Sequence, residues 1–231
     1  MKNGTLYGVG VGPGDPELLT LKAIKTIEKC NYIACPESSS GENVAYGIAA
    51  QVVDLSNKKV LMLDLPMTRN SEELRISQEK ASLAIIEVLE SGEDVAFLTL
   101  GDPSIYSTYG YIHEILNGRG YETSIIPGIT SFCSAASSLN TMLVQGGEAL
   151  HIIPASYKNN DELSSLSGCK VLMKSGKSLK KVLDNIGYKE SYTIDIVERS
   201  SMKGERVFKN IKSIDDDLSY FSLVVIKDGV E

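Results

Sequence analysis

The chain has 231 residues, 42% of them hydrophobic, enough for one large domain or two modest ones with packed cores. A formal charge of −7 speaks against a broad nucleic-acid surface, because phosphate backbones demand clustered Lys and Arg. No stretch is apolar for long enough to span a bilayer, and "MKNGTLYGVG" lacks the apolar middle of a signal peptide, so a cytoplasmic protein without membrane contact is expected.

In chain order, "TLYGVGV" reads as a strand and "PELLTLKAIKTIEKC" as an amphipathic helix. "NYIAC" is a strand, "ENVAYGIAAQVV" a helix, "KKVLMLDL" a strand and "SEELRISQEKASLAIIEVLESG" a long helix closed by Gly92. "DVAFLTL" (strand), "SIYSTYGYIHEILNGRG" (helix) and "ETSIIPG" (strand) come next. Such alternation predicts a mainly parallel sheet covered by helices, with ligands at the carboxyl ends of its strands. Beyond it, "ALHIIPA" and "CKVLMKS" read as strands and "SLKKVLDNIG" as a helix, while "SYTIDIVERSS", "ERVFKNIKS" and "FSLVVIKDG" come in close, hairpin-like order. Two α/β domains are predicted, residues 1–120 with a parallel sheet and 121–231 with a mixed one, the boundary falling near Gly118 to Gly128. Cys30, Cys35, Cys133 and Cys169 are scattered, without a C-x-x-C, and the only histidines are His113 and His151. Small buried thiols are expected rather than zinc ligands or disulfides.

The first strand enters a glycine-rich turn, which invites comparison with a dinucleotide fold. That fingerprint needs Gly at relative positions one, three and six. Counting from Gly8, the sixth position is Pro13; from Gly10 it is Asp15; neither register fits. Asp15 and Pro16 look instead like helix punctuation, an N-cap followed by a proline at the first helical position. A carboxylate there would compete with a phosphate for the positive end of the helix. "LTLGDPSIYST" repeats the arrangement, with Asp102 as a possible N-cap and Pro103 after it, and "IIPGITS" supplies a third turn. All three sit at the ends of strands of one predicted sheet.

Together "VGVGPGDPELLTLKA", "LTLGDPSIYST" and "IIPGITS" resemble the tetrapyrrole methylases, the class III S-adenosylmethionine-dependent methyltransferases, over essentially the whole chain. "GDPSIYST" and the insert "PMTRNSEELR" are similar to the branch that methylates C(20) of precorrin-2 or its cobalt complex. Siroheme-forming members read with a second glycine where this chain has Leu100, which argues against uroporphyrinogen. The resemblance implies a donor, S-adenosyl-L-methionine, folded in an interdomain crevice and held largely by backbone. It places Pro13, Leu100, Gly101, Asp102, Ile105, Tyr106, Thr130, Ser131 and Met173 against that donor, and Gly12, Ser107 and Thr108 against the tetrapyrrole. Ser200 stands where members often carry glycine, which puts a backbone contact there in doubt.

The donor offers a sulfonium, an ammonium and a carboxylate but no phosphate, so loops without a phosphate-binding lysine suit it. Methyl transfer to an electron-rich meso carbon needs positioning and water exclusion more than a strong base. No catalytic residue is assigned; Glu198, Tyr106 and Asp102 are candidates for accepting the proton. Arg69, Arg75, Lys174 and Lys177 lie where substrate carboxylates could meet them, although a solvated role is the commoner fate of such residues. His113 is expected to pack or lie at the surface. The resemblance further implies a homodimer with no protein-bound metal. Rival readings are a methylase of another tetrapyrrole position, a relative acting on RNA or protein, and a non-catalytic nucleotide-binding module of the same fold.

Overall fold

The apolar run Val95–Thr99 becomes a central strand, buried along its whole length. The computed structural model describes residues 2–37, 43–68, 70–154, 165–174, 192–211 and 218–228. Two compact units emerge, Met1–Thr130 and Ser131–Glu231. In the first, strands β1 (Leu6–Gly10), β2 (Tyr32–Pro36), β3 (Lys59–Leu63), β4 (Val95–Thr99) and β5 (Thr123–Ile126) form one sheet in the order β3-β2-β4-β1-β5. Every pairing in it is parallel. Helices α1 (Leu21–Lys29), α2 (Val44–Ala49), α3 (Ser71–Glu90) and α4 (Tyr109–Gly118) connect the strands. Ala96 and Leu98 of β4 pack with the α1 and α2 side, Val95 and Phe97 with α3 and α4, so the strand is buried throughout.

The expected boundary at 120/121 would cut this sheet. β5 pairs with β1 from Leu6↔Thr123 to Val9↔Ile126, so the chain leaves the first unit only after Thr130. Asp15 caps a short 3₁₀ turn at Pro16–Leu18, not the long helix; α1 starts at Leu21, where the Thr20 hydroxyl accepts from the Ala23 N–H at 3.1 Å. Asn70 caps α3 by accepting from the N–H groups of Glu72 and Glu73, and Gly92 (φ +85) comes after its C-terminus in the left-handed region.

The second unit holds α5 (Ser131–Leu139) and strands β6 (Leu150–Pro154), β7 (Cys169–Met173), β8 (Thr193–Glu198), β9 (Arg206–Phe208) and β10 (Ser222–Lys227). Their order is β6-β7-β10-β8-β9, with β6 and β7 parallel and the other pairs antiparallel. The hairpin reading holds for β8 and β9. β10, by contrast, is inserted between β7 and β8, where its run of five buried residues belongs. The predicted helix "SLKKVLDNIG" lies outside the described residues. Cys30, Cys35 and Cys169 are buried free thiols and Cys133 is exposed. Burial pushes Cys30 and Cys35 up to about 12.

Candidate functional site

The glycines of the first turn serve close packing. A Cβ on Gly8 would lie 2.3 Å from the Tyr109 ring, whose buried hydroxyl donates to the Ser124 carbonyl at 3.2 Å. A Cβ on Gly10 would lie 2.6 Å from both the Gly101 carbonyl oxygen and the Gly128 nitrogen. The carboxyl ends of β1, β4 and β5 therefore meet backbone to backbone. Val11 N–H donates to Thr99 O at 2.9 Å, and Gly101 N–H to Gly12 O at 2.7 Å. Gly12 (φ +78) and Gly101 (φ +74) turn away there in a conformation that favours glycine.

Asp102 ties the third turn to the second. Its Oδ2 accepts from Gly128 N–H at 2.9 Å, while Oδ1 accepts from the Ser104 N–H at 2.8 Å and the Ser104 hydroxyl at 2.5 Å. It is not the N-cap of α4. That helix begins at Tyr109, Thr108 occupies the cap without a side-chain bond, and residues 102–108 form a loop. In this loop Pro103 is buried, Ser107 Oγ donates to the Pro103 carbonyl, and Ile105 N–H donates to Asp102 O at 3.3 Å. Tyr106 is 46% exposed and left-handed (φ 47). Pro13 is buried beside Gly12, and Leu100 packs on the α1 side of the sheet. Two hydroxyls at this rim, Thr99 Oγ1 and Thr130 Oγ1, are buried without a hydrogen-bond partner among the described residues. Such orphans are uncommon, since each forfeits about 1–3 kcal/mol.

In the second unit, Ser131 opens α5 and Met173 ends β7. Ser200 is buried with its hydroxyl 2.7 Å from that of Ser134. Among the described residues no group of three His, Cys, Asp or Glu is disposed to hold a metal ion, and no helix is long and apolar enough to cross a membrane.

Residues 5–215 match the model of one family, the Tetrapyrrole (Corrin/Porphyrin) Methylases. The chain belongs to the tetrapyrrole methylases. It is 36% identical over 229 residues to a probable cobalt-precorrin-2 C(20)-methyltransferase of Methanocaldococcus jannaschii, covering 96% of this chain and 95% of that one. A precorrin-2 C(20)-methyltransferase of Sinorhizobium sp is 31% identical over 235 residues, with 96% and 95% covered. The fold is that of a cobalamin biosynthetic enzyme, cobalt precorrin-4 methyltransferase, at a TM-score of 0.77 and 20% identity, covering 96% and 94%.

Within this tetrapyrrole methylase, the structure brings Gly12, Leu100, Gly101 and Asp102 to one rim with Gly128. Gly128 was not singled out by sequence; a Pro-Gly pair at a strand end was the available signal, but only the fold reveals its contact with Gly10. Arg69 and Lys177 lie outside the described residues, and Arg75 pairs with Glu72 on the exposed face of α3 at 2.8 Å. His113 packs against Tyr109, its Nδ1 3.2 Å from the Tyr109 hydroxyl, as expected.

Asp102 and Glu198, both candidate proton acceptors, are already engaged. Asp102 gives both oxygens to Ser104 and Gly128. Glu198 is buried, accepts from Arg206 Nε at 2.5 Å and from Ser219 N–H at 2.7 Å, and is held by Arg206 at about 2. A carboxylate so stabilised is a poor base. Its folded value lies below the ordinary 4.5, so its contribution to stability is complete above 4.5 and fades as pH falls towards 2. Glu198→Gln should flatten that acid limb, as measured by urea midpoints between those pH values. An unchanged acid limb would contradict the assigned pairing.

Proposed function

We propose that this chain transfers a methyl group from S-adenosyl-L-methionine to the C(20) meso carbon of precorrin-2 or cobalt-precorrin-2, in synthesis of the corrin ring of cobalamin. The observation that carries this reading is the joined rim of three glycine turns, in a chain alike over its whole length to C(20)-methyltransferases. When bound, the donor supplies a methyl on a sulfonium; C(20) takes the methyl, the S–CH₃ electron pair stays on sulfur as neutral S-adenosylhomocysteine leaves, and the methylated carbon gives up its proton to solvent.

The residues of the first unit suit such a donor. "VGVGPGDPE" and "LTLGDPSIYST" contain no Lys or Arg, which a phosphate would call for and a sulfonium would not. The buried Thr130 and Thr99 hydroxyls lack partners among the described residues, which favours a polar ligand at this rim. Pro13, Leu100, Gly101, Asp102, Ile105, Tyr106, Thr130, Ser131 and Met173 would contact the donor, and Gly12, Ser107 and Thr108 the tetrapyrrole. Their work is to bind, to orient and to exclude water; with an activated leaving group, the step does not need a strong base. Family resemblance supports a cytoplasmic homodimer that carries no metal of its own.

Incubation with S-adenosylmethionine and precorrin-2, with and without cobalt, tests the reading by product mass. One added methyl on at least one of the two substrates is expected. Mass unchanged for both would overturn it.

A further inference from the structure

Among the described residues, four that are neither Gly nor Asn hold a left-handed backbone: Tyr106, Lys174, Arg199 and Ser201. Three of these gather at one place in the second unit. β7 and β8 both run antiparallel to β10, so their carboxyl ends share a rim. Lys174 (φ 56) is the residue after β7, and Arg199 (φ 54) the residue after β8. The registers Val224↔Leu172 and Ser222↔Glu198 put Lys174 level with Glu198, two strand spacings away, which is roughly 10 Å.

Left-handed backbone is disfavoured for any residue with a Cβ, and such conformations persist mainly where the side chain has a task. Ser201 has a local one, its hydroxyl 2.5 Å from that of Ser134 and its N–H donating to Glu205 Oε2 at 2.6 Å. Arg199 has none of that kind. Its backbone is fastened, N–H to Phe221 O at 2.9 Å and carbonyl to Met202 N–H at 2.8 Å. Its guanidinium is exposed and makes no hydrogen bond or ion pair with the described residues. The neighbouring Glu198, Ser200 and Glu205 are all committed to internal bonds, so the turn presents Arg199 from a fixed base. Lys174 is half-buried at the same rim, and burial pulls its ammonium below the ordinary range.

We propose that Lys174 and Arg199 form a two-point site for carboxylates at the edge of the tetrapyrrole substrate. This rests on the functional reading above, since precorrin-2 carries acetate and propionate groups around its ring. A planar guanidinium suits a carboxylate in a bidentate pair, and the ammonium supplies a second anchor. In a chain of net charge −7, two cations held on strained backbone at one strand-end rim give a local surface that suits anions.

The test uses the full chain and two ligands. Fluorescence quenching measures binding of the polycarboxylate uroporphyrin and of its methyl ester, and calorimetry measures S-adenosylhomocysteine. Lys174→Gln and Arg199→Gln should each weaken uroporphyrin about fivefold or more, with S-adenosylhomocysteine unchanged within about twofold. Lys174→Gly and Arg199→Gly, which relieve the backbone, should melt above the unmodified chain yet bind uroporphyrin as weakly as the Gln variants. Uroporphyrin affinity untouched in the variants, ester binding equal to the acid, or no uroporphyrin binding by the unmodified chain would each overturn the site. Loss of S-adenosylhomocysteine affinity instead would assign these cations to the donor's carboxylate and overturn it too. Methylation of precorrin-2 by the unmodified chain is scored separately, so failure of the site and failure of the reaction are told apart.

Discussion

Gly128→Ala should destabilise the first unit by about 3 kcal/mol, as judged by urea or thermal denaturation. A Cβ there would lie 2.2 Å from the Gly101 carbonyl oxygen and 2.8 Å from the Gly10 Cα. Both neighbours are backbone at strand ends, and neither can swing aside as a side chain would. Relief requires separating the ends of β1, β4 and β5, which also breaks the Asp102 to Gly128 bond of 2.9 Å. If this rim holds the donor as proposed, S-adenosylhomocysteine affinity should also fall by more than about tenfold in whatever fraction remains folded. Gly47→Ala is the natural control. It lies inside α2, its Cβ would meet nothing within 4 Å, and it should raise stability by about 0.5–1 kcal/mol. A Gly128→Ala chain as stable as the parent would refute the backbone contact.

Asp102→Ala is expected to lower stability by about 2 kcal/mol and to weaken S-adenosylhomocysteine binding at least tenfold. The carboxylate accepts three hydrogen bonds, two from Ser104 and one from Gly128, and so joins the β4 turn to the β5 turn. Removing it leaves the Gly128 N–H without that acceptor and frees the loop that carries Ile105 and Tyr106. Asp102→Asn should fall between, because its amide can still accept at Ser104 but sets a donor against the Gly128 N–H. Ser104→Ala loses only the local bond and should stay within about 0.5 kcal/mol of the parent. Calorimetry decides the matter: normal affinity in Asp102→Ala would confine this residue to holding its own turn.

Much of the first unit was legible because its signals are local. β4 is a continuous apolar run, α1 an amphipathic stretch, and α3 is closed by Gly92. The loop motifs were legible as well, being short, glycine-rich and spaced by whole elements. The starts of α1 and α4 were not. "GDP" reads as an N-cap plus a first-turn proline, but Asp102 gives its oxygens to Ser104 and Gly128, a partner 26 residues away. The boundary, expected near Gly118 to Gly128, falls after Thr130 because β5 completes the parallel sheet beside β1.

By itself the sequence determined the strand and helix periods, the chemistry of the turns and the family they imply, because each depends on neighbours a few residues apart. Tertiary structure alone decided that Gly10, Gly101 and Gly128 touch, that β10 slots between β7 and β8, and that Lys174 and Arg199 share a rim. Those facts arise from pairings between distant segments, where the free energy of burying a strand on both sides, and not any local preference, selects the partner.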